Sequence, residues 1–307
     1  MVYLILAILC GSLFSIIFKL GQKHGVDGLQ VTLVNYVTAF VFTMLPIAGK
    51  IVFDHGVPAG NFLPSPSSWL LALVQGAFFT AGFTVMDRST RRSGVALTTV
   101  CARASLILPV LLSWILLGQP APAWLPVLLT VAAMVLVIGP AEARPAGRQV
   151  ARRFPARYAS VLALLGVFLV FGVSDFFLKV VQDSVERAYS SDPVLMEDQL
   201  DALTCTIFLM ASLASLAVCL FSGSFRKHRV RWSTVGWGAL LGFANIGCTS
   251  CMLRALGVMS TGVFYPLYNI GIVLVAALAG FLFFGERLKW TQVAGFALAL
   301  AAIAFSF

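Results

Sequence analysis

Long apolar segments separated by short polar connections limit what this chain can fold into. One of them, Thr261–Phe284, carries no charged residue and ends abruptly at Gly285-Glu286-Arg287. A helix needs about 20 apolar residues to cross the hydrocarbon layer of a bilayer. The segments close to this length are Val2–Leu20, Leu29–Gly49, Trp69–Met86, Val95–Gly118, Trp124–Pro140, Tyr158–Val181, Leu203–Phe221, Trp232–Leu253, Thr261–Phe284 and Trp290–Phe307. The sequence therefore predicts an all-α integral membrane protein with ten transmembrane helices.

The composition excludes several classes of protein. Hydrophobic residues make up 60% of the 307 residues and charged residues 11%, whereas a soluble domain has about 25% charged residues. The formal net charge of +9 could suggest a nucleic-acid partner. However, the Lys and Arg residues lie in short connections between apolar segments, where they indicate membrane orientation and not a phosphate-binding surface. We therefore expect contact with the lipid bilayer and no nucleic-acid partner.

The charges of the connections predict an orientation. Basic residues collect in the odd-numbered connections, whereas the even-numbered ones carry only Lys50 and Arg187, with Arg254 as a third if it lies outside its helix. The sixth connection, between Val181 and Leu203, is acidic. Because basic loops stay in the cytoplasm, this pattern predicts that both termini lie outside.

Two parts of the chain, residues 1–140 and 158–307, repeat the same pattern around a basic connection at residues 141–157. In each part a glycine opens the fourth span, a Gly-Gln or Gly-Glu pair ends it, and a tryptophan follows. The matching positions are Gly94 with Gly262, Gly118 with Gly285, and Trp124 with Trp290. Five spans is an odd number, so the second copy is inverted relative to the first, as in many secondary transporters. We predict two inverted five-helix repeats.

These features resemble the EamA-type drug/metabolite transporter superfamily over the full chain. The resemblance rests on the five-plus-five organisation, on Gly-Glu-Arg-Leu at Gly285–Leu288, and on the glycines that open spans at 94 and 262. It implies a ten-helix carrier with a small metabolite bound between two helix bundles. Two features depart from the family. Gln119 stands where the first repeat would have Glu, and the loop charges oppose the family's orientation with both termini in the cytoplasm.

Four ionisable residues lie inside or near the ends of predicted spans, namely Lys19, Arg103, Asp175 and Lys179. A charge at mid-membrane costs at least about 2.5–3.5 kcal/mol, so each needs compensation. Lys19 and Lys179 are equivalent in the two repeats. They either extend to the lipid headgroups or lie at the two mouths of a transport path, where they attract an anion or close an ion-pair gate. Asp175 precedes Lys179 by four residues, so the two can form an ion pair. Alternatively, Asp175 is a proton-coupling site when the substrate engages Lys179.

Arg103 lies deeper in its span, beside Cys101, Ala102, Ala104 and Ser105. Small neighbours leave room in front of the guanidinium, whose planar donors suit a carboxylate or phosphate. We interpret Arg103 as a residue that faces a polar cavity.

Uncharged polar residues complete the predicted substrate-binding set. Tyr265 and Asn269 are four residues apart and share a helix face with Thr261, and Pro266 can kink that helix. Each polar side chain either contacts substrate or hydrogen-bonds between helices. The uncharged members of the set are Asn35, Tyr36, Asn245, Tyr265, Tyr268 and Asn269. The three members in the ninth span, Tyr265, Tyr268 and Asn269, would supply neutral hydrogen bonds beside the charge of Arg103.

The sequence lacks the motifs of an enzyme or an ATP-driven pump. Cys248 and Cys251 have the spacing of a metal pair, but no second pair or nearby His completes a zinc site. No phosphate-binding loop, nucleotide fingerprint or nucleophile elbow is present. We expect no catalytic residue, no metal and no cofactor.

The sequence therefore predicts a secondary transporter in a bacterial cell (inner) membrane. It would move a small anionic or zwitterionic metabolite, such as an amino or organic acid, by alternating access. One alternative is a proton-coupled exporter of cationic drugs, which would use Asp175. Another, from a different class, is an integral-membrane enzyme or a lipid-handling protein.

Overall fold

The computed structural model describes residues 1–23, 26–53, 58–93, 95–138, 154–227, 229–284 and 290–305. Gly94, the Gly285–Leu288 motif and residues 139–153 lie outside this set. The described helices are α1 (Val2–Lys23), α2 (Gly28–Phe53), α3 (Pro66–Ser93), α4 (Val95–Ala104), α5 (Ile107–Leu117), α6 (Trp124–Ile138), α7 (Phe154–Tyr189), α8 (Pro193–Ser222), α9 (Ser224–Lys227), α10 (Trp232–Val258), α11 (Thr261–Phe284) and α12 (Trp290–Ala304). A short 3-10 helix, Ala59–Phe62, precedes α3.

Several described helices are suited to a bilayer. Those long and apolar enough to cross it are Gly28–Phe53, Ser67–Ser89, Val161–Tyr189, Pro193–Ser222 and Trp232–Val258. Shorter apolar stretches are Val2–Leu13, Cys101–Leu117, Trp124–Leu136 and Thr261–Val275. The chain is therefore a multi-pass membrane protein, and the all-helical prediction is confirmed for the described residues. The count of ten spans and the inverted repeat stay predictions.

The acidic stretch between Val181 and Leu203, predicted as a connection, is mostly helical. α7 continues to Tyr189, and α8 already begins at Pro193. The Asp192 carboxylate starts α8 by accepting hydrogen bonds from the backbone N–H groups of Val194 and Leu195 at 3.0 and 3.1 Å. Pro193 takes the first helical position, where its missing N–H removes no helical bond. The predicted boundaries were wrong here because charged residues continue both helices.

The fourth predicted span, Val95–Gly118, is interrupted between α4 and α5. In a continuous helix the N–H of residue 109 would bond to the carbonyl of Ser105, but Pro109 has no N–H and its ring clashes with that carbonyl. The Ser105 carbonyl accepts instead from the N–H of Leu108 at 2.9 Å, one residue early. The helix therefore tightens into a 3-10-like turn directly after Arg103.

The described chain divides into two compact units. The first unit contains Met1–Thr80 and Phe177–Val258, and the second contains Ala81–Phe176 and Met259–Phe307. The division falls within α3 and α7, and each unit draws on both predicted repeats. Packing units and sequence repeats are divisions of different kinds, so the repeat boundaries stay a prediction.

Small residues let the helices of the first unit approach closely. There α10 packs against α1 and α2, and α2 packs against α8. A Cβ atom on Gly242 of α10 would lie 2.8 Å from the main-chain oxygen of Asn35, and one on Gly238 would lie 2.5 Å from Cβ of Val34. This four-residue spacing of glycines is typical of closely packed membrane helices. In the second unit α6 packs against α4, α11 and α12, and α5 packs against α11.

Candidate functional site

Asn35 and Asn245 of the first unit form a hydrogen bond between α2 and α10. The Asn245 amide donates to Oδ1 of Asn35 at 3.3 Å, and the Thr249 hydroxyl donates to Oδ1 of Asn245 at 3.3 Å. Both asparagines are buried. Among the described residues, the amide nitrogen of Asn35 has no hydrogen-bond partner. The interaction between helices that the sequence allowed is therefore present, and substrate contact by either residue stays a prediction.

Tyr36 packs into aromatic neighbours. Its ring lies parallel to that of Phe79, with 6.2 Å between centroids and a 7° interplanar angle. Phe208 lies on α8 with its ring centroid 6.4 Å from that of Tyr36. The side chain of Tyr36 is buried, so it contributes to the core of the first unit.

Lys179 is surrounded by acceptors. Its ammonium donates to Oε1 of Gln182 at 2.6 Å and to the carbonyl of Leu256 at 2.8 Å, and it pairs with Asp183 at 2.6 Å. An ammonium has three N–H donors, and these three acceptors match them. Because Lys179 is only 4% exposed, the alternative in which it extends towards the lipid headgroups does not apply to it. Its ion-pair partner is Asp183, one helical turn after Lys179, and not Asp175 as predicted.

The contact with Leu256 gives Lys179 a clear structural role. Leu256 lies in the last turn of α10, where carbonyl groups lack partners within the helix. A cation there is favoured by the helix dipole. Lys179 therefore joins α7 to the end of α10. Lys19 lies in α1, but its side chain is outside the described residues.

An ion-pair cluster at the ends of α2, α8 and α10 was missed by the sequence reasoning. Lys50 lies 2.7 Å from Asp198 and 3.8 Å from Asp201. Arg254 lies 2.7 Å from both Glu197 and Asp201. The available signal is the run of acidic residues itself, which hydropathy places in a connection and the structure places on α8. Arg254 lies within α10 and pairs with α8, so it is not a loop charge.

Arg103 and Asn269 meet in the second unit. Nη1 of Arg103 donates to Oδ1 of Asn269 at 3.3 Å. The amide nitrogen of Asn269 donates to the main-chain carbonyl of Tyr265 at 3.0 Å. A carbonyl can only accept and a guanidinium can only donate, so these two contacts together fix which end of the amide faces Arg103.

Tyr265 links this pair to α7. Its hydroxyl donates to the main-chain carbonyl of Asp175, and the Tyr265 side chain is fully buried. The charge of Arg103 acts on the carboxylate of Asp175. One turn earlier on α7, a Cβ atom on Gly172 would lie 2.8 Å from the Ser105 carbonyl oxygen, so α7 passes close to the interruption after α4. The second unit thus brings together Arg103, Asp175, Tyr265 and Asn269.

Tyr268 takes a different part in the second unit. It lies on α11 with its ring stacked on that of Phe264, with 5.5 Å between centroids and a 10° interplanar angle. The Tyr268 side chain is buried. The stacking shows a packing role for the ring, while its predicted substrate contact stays a prediction.

Among the described residues, the guanidinium of Arg103 has donors without a hydrogen-bond partner. It has five N–H donors, and its hydrogen-bond partner among the described residues is Asn269. The side chain is neither buried nor fully exposed. The remaining planar N–H groups can donate to two oxygens of a carboxylate or phosphate. The described residues include no group of three or more His, Cys, Asp or Glu suited to a metal ion.

Comparisons with known proteins support the resemblance seen in the sequence. The sequence model of the EamA-like transporter family matches residues 194–307, which confirms the resemblance to this superfamily. An uncharacterized protein of Haemophilus influenzae is 26% identical over 309 residues, covering 98% of this chain and 95% of the relative. A crystal structure at 16% identity has a TM-score of 0.64 and covers 99% of this chain and 96% of that chain. The chain therefore shares the fold of that structure.

Proposed function

Because residues 194–307 match the EamA-like transporter family, we propose that this protein is a secondary transporter that works by alternating access. Its substrate is a small anionic or zwitterionic metabolite, such as an amino or organic acid. Its location is the cell (inner) membrane of a bacterium. The relative from Haemophilus influenzae supports the bacterial origin.

The observation that carries the substrate class is the guanidinium of Arg103, whose pairing is incomplete within the part of the chain that the structure describes. An Arg at mid-membrane costs at least about 2.5–3.5 kcal/mol. One neutral hydrogen bond contributes about 0.5–1.5 kcal/mol, and the bond to Asn269 is long at 3.3 Å. That bond alone does not offset the cost. Asp175 supplies opposite charge, and an anionic ligand would supply more.

Asp175 extends the choice of ligand to zwitterions. Its carboxylate is on α7 and interacts with Arg103 through charge alone among the described contacts. A ligand carboxylate bound by Arg103 would replace that interaction, and a ligand ammonium could then bind Asp175. A ligand with both groups therefore matches both charges.

The test is transport by the purified protein in liposomes, with a panel of labelled amino acids, organic acids and cationic dyes. We expect Arg103→Lys to lower the initial rate for the preferred anion or zwitterion about 10-fold to 100-fold, because Lys keeps the charge but loses the planar two-point contact. The matched control is Arg226→Lys, an exposed arginine of α9, which should transport like the parent.

Two outcomes contradict the proposal. Equal rates for Arg103→Lys and the parent would remove Arg103 from the substrate site. Transport of cationic dyes, with no anion or zwitterion transported, would replace the substrate class.

Export of cationic drugs is the second candidate, and one observation favours it. The ammonium of Lys179 is engaged with Asp183, so it does not neutralise Asp175. A carboxylate without a lysine partner is the group that a proton-coupled drug exporter would use. Dye transport driven by an imposed proton gradient in the same panel would identify this activity.

A further inference from the structure

The side chain of Gln119 joins the end of α5 to the start of α11. Its Oε1 accepts a hydrogen bond from the backbone N–H of Thr261 at 3.1 Å and another from the Thr261 hydroxyl at 2.8 Å. α5 ends at Leu117, and the next residue, Gly118, has a φ of 66° that turns the chain out of the helix. Thr261 is the first residue of α11, so its N–H has no partner within that helix. Gln119 therefore caps α11 from a different segment.

Three residues of α11 continue this contact along one helix face. Thr261, Tyr265 and Asn269 are spaced by four residues and lie above one another. Each binds a different segment: Thr261 binds Gln119, the Tyr265 hydroxyl binds the Asp175 carbonyl, and Asn269 binds Arg103. The described part of α11 is one continuous helix from Thr261 through Asn269.

Because the helix is continuous, its start determines where Asn269 lies. Eight residues of α-helix span about 12 Å, and a slip of one residue moves every side chain about 1.5 Å along the axis and about 100° around it. The Arg103–Asn269 bond is already long at 3.3 Å. A slip of α11 would therefore break it.

We propose that Gln119 is a positioning residue for the Arg103 site. By capping α11 it holds Asn269 in the register that meets Arg103, and it thereby fixes the guanidinium. It acts through Thr261 and Asn269 and touches no substrate. Its consequence for transport rests on the proposed function, but its effect on Arg103 does not.

The amide of Gln119 works here as an acceptor. A carboxylate would accept the same two bonds, and negative charge is favoured at a helix N-terminus. Gln119→Glu should therefore keep the register, whereas Gln119→Ala removes the acceptor. Thr261→Val removes the hydroxyl bond and keeps the backbone bond, so it should have an intermediate effect.

The test measures the rate at which phenylglyoxal modifies Arg103 in the full-length protein in liposomes, by mass spectrometry, relative to Arg226. Loss of the Arg103–Asn269 hydrogen bond corresponds to about a fivefold change in the rate at which Arg103 is modified. We expect Gln119→Ala to speed modification of Arg103 about fivefold and Gln119→Glu to leave it unchanged. The matched control is Asp192→Ala, which removes the two cap bonds of α8 and should also leave Arg103 unchanged.

A double variant separates positioning from general loosening. If Gln119 acts through Asn269, then Gln119→Ala with Asn269→Ala should modify no faster than Asn269→Ala alone. The proposal would be overturned if the two substitutions increase the rate of Arg103 modification additively. It would also be overturned if Asp192→Ala increases that rate as much as Gln119→Ala does, or if Gln119→Ala leaves it unchanged. If Gln119→Ala does not fold, Thr261→Val is tested by the same comparison, and an unchanged rate of Arg103 modification in that variant would overturn the proposal.

This measurement is independent of transport. Absence of transport with the expected labelling pattern would overturn the proposed function and leave the positioning role of Gln119 intact. If transport depends on Arg103 but neither Gln119→Ala nor Thr261→Val changes the labelling of Arg103, the positioning role of Gln119 is overturned and the proposed function stands.

Discussion

Replacing Lys179 by Met tests whether this lysine is structural or binds substrate. The side chains of Lys179 and Asp183 are 6% and 17% exposed, and their charged atoms are 2.6 Å apart. Met has similar length and no charge. The substitution leaves the Asp183 carboxylate, Oε1 of Gln182 and the Leu256 carbonyl without their donor.

The size of the effect follows from the burial of the pair. Removing one partner of a buried ion pair costs about 3–5 kcal/mol, because the other charge stays buried without compensation. A loss of this size lowers the melting temperature of a protein of this length by roughly 5–15 °C. Replacing both partners by apolar residues is often close to neutral. The double variant Lys179→Met with Asp183→Leu should therefore regain at least half of the lost stability.

The assay is thermal unfolding in detergent, followed by tryptophan fluorescence at one scan rate, since unfolding of such proteins is often irreversible. Arg187→Met is the matched control, because Arg187 lies on the same helix and is exposed. It should change the melting temperature by about 1 °C or less. Transport by each variant is measured in parallel.

One result would refute the reasoning. If Lys179→Met keeps the melting temperature of the parent and abolishes transport, the three acceptors do not hold α7 to α10, and Lys179 contacts substrate. A double variant as unstable as the single one would also contradict the ion-pair argument.

Two further predictions concern α10 and α7. Gly242→Val should destabilise the protein by about 1–3 kcal/mol, because a Cβ atom there meets the Asn35 main-chain oxygen at 2.8 Å. Gly236→Val on the same helix is the control and should be tolerated, because a Cβ atom there has nothing within 4 Å. Equal melting temperatures for the two variants would contradict the close contact. Asp175→Asn should weaken the dependence of transport on an imposed proton gradient. The melting temperature should stay unchanged, because Tyr265 binds the main chain of Asp175 and not its carboxylate. Full gradient dependence in this variant would exclude Asp175 as the coupling site.

Several features of the site could be predicted from residue types. Arg103 was recognisable because a charge within an apolar span needs a partner, and Tyr265 and Asn269 because they share a helix face. The interaction partners of the charged residues were harder to predict from the sequence. Lys179 has carboxylates four residues away on both sides, Asp175 and Asp183, and helical spacing allows both pairs, with a small preference for Asp175 because the acid precedes the base. The choice depends on Gln182 and on Leu256 of α10, which also bind the ammonium.

Helix ends were predicted poorly where polar residues continue a helix. Hydropathy ends a span at the first charges, so Glu197, Asp198 and Asp201 were assigned to a connection. In the structure they lie on α8 and pair with Lys50 and Arg254. Local signals did exist, since Asp192 followed by Pro193 is a typical helix start, and Pro109 marks the interruption at Ser105 and Leu106.

The sequence by itself determined that this chain is helical and crosses a membrane, because apolar length is a local property that needs no knowledge of neighbours. It also singled out Arg103, since the cost of a charge in an apolar span depends on depth and not on the fold. Only the tertiary structure decided which groups, distant in the sequence, contact each other. Gln119 and Thr261 are 142 positions apart, and Arg103 and Asn269 are 166 apart. Such pairs form when helices pack in one register, and no local pattern of residues specifies that register.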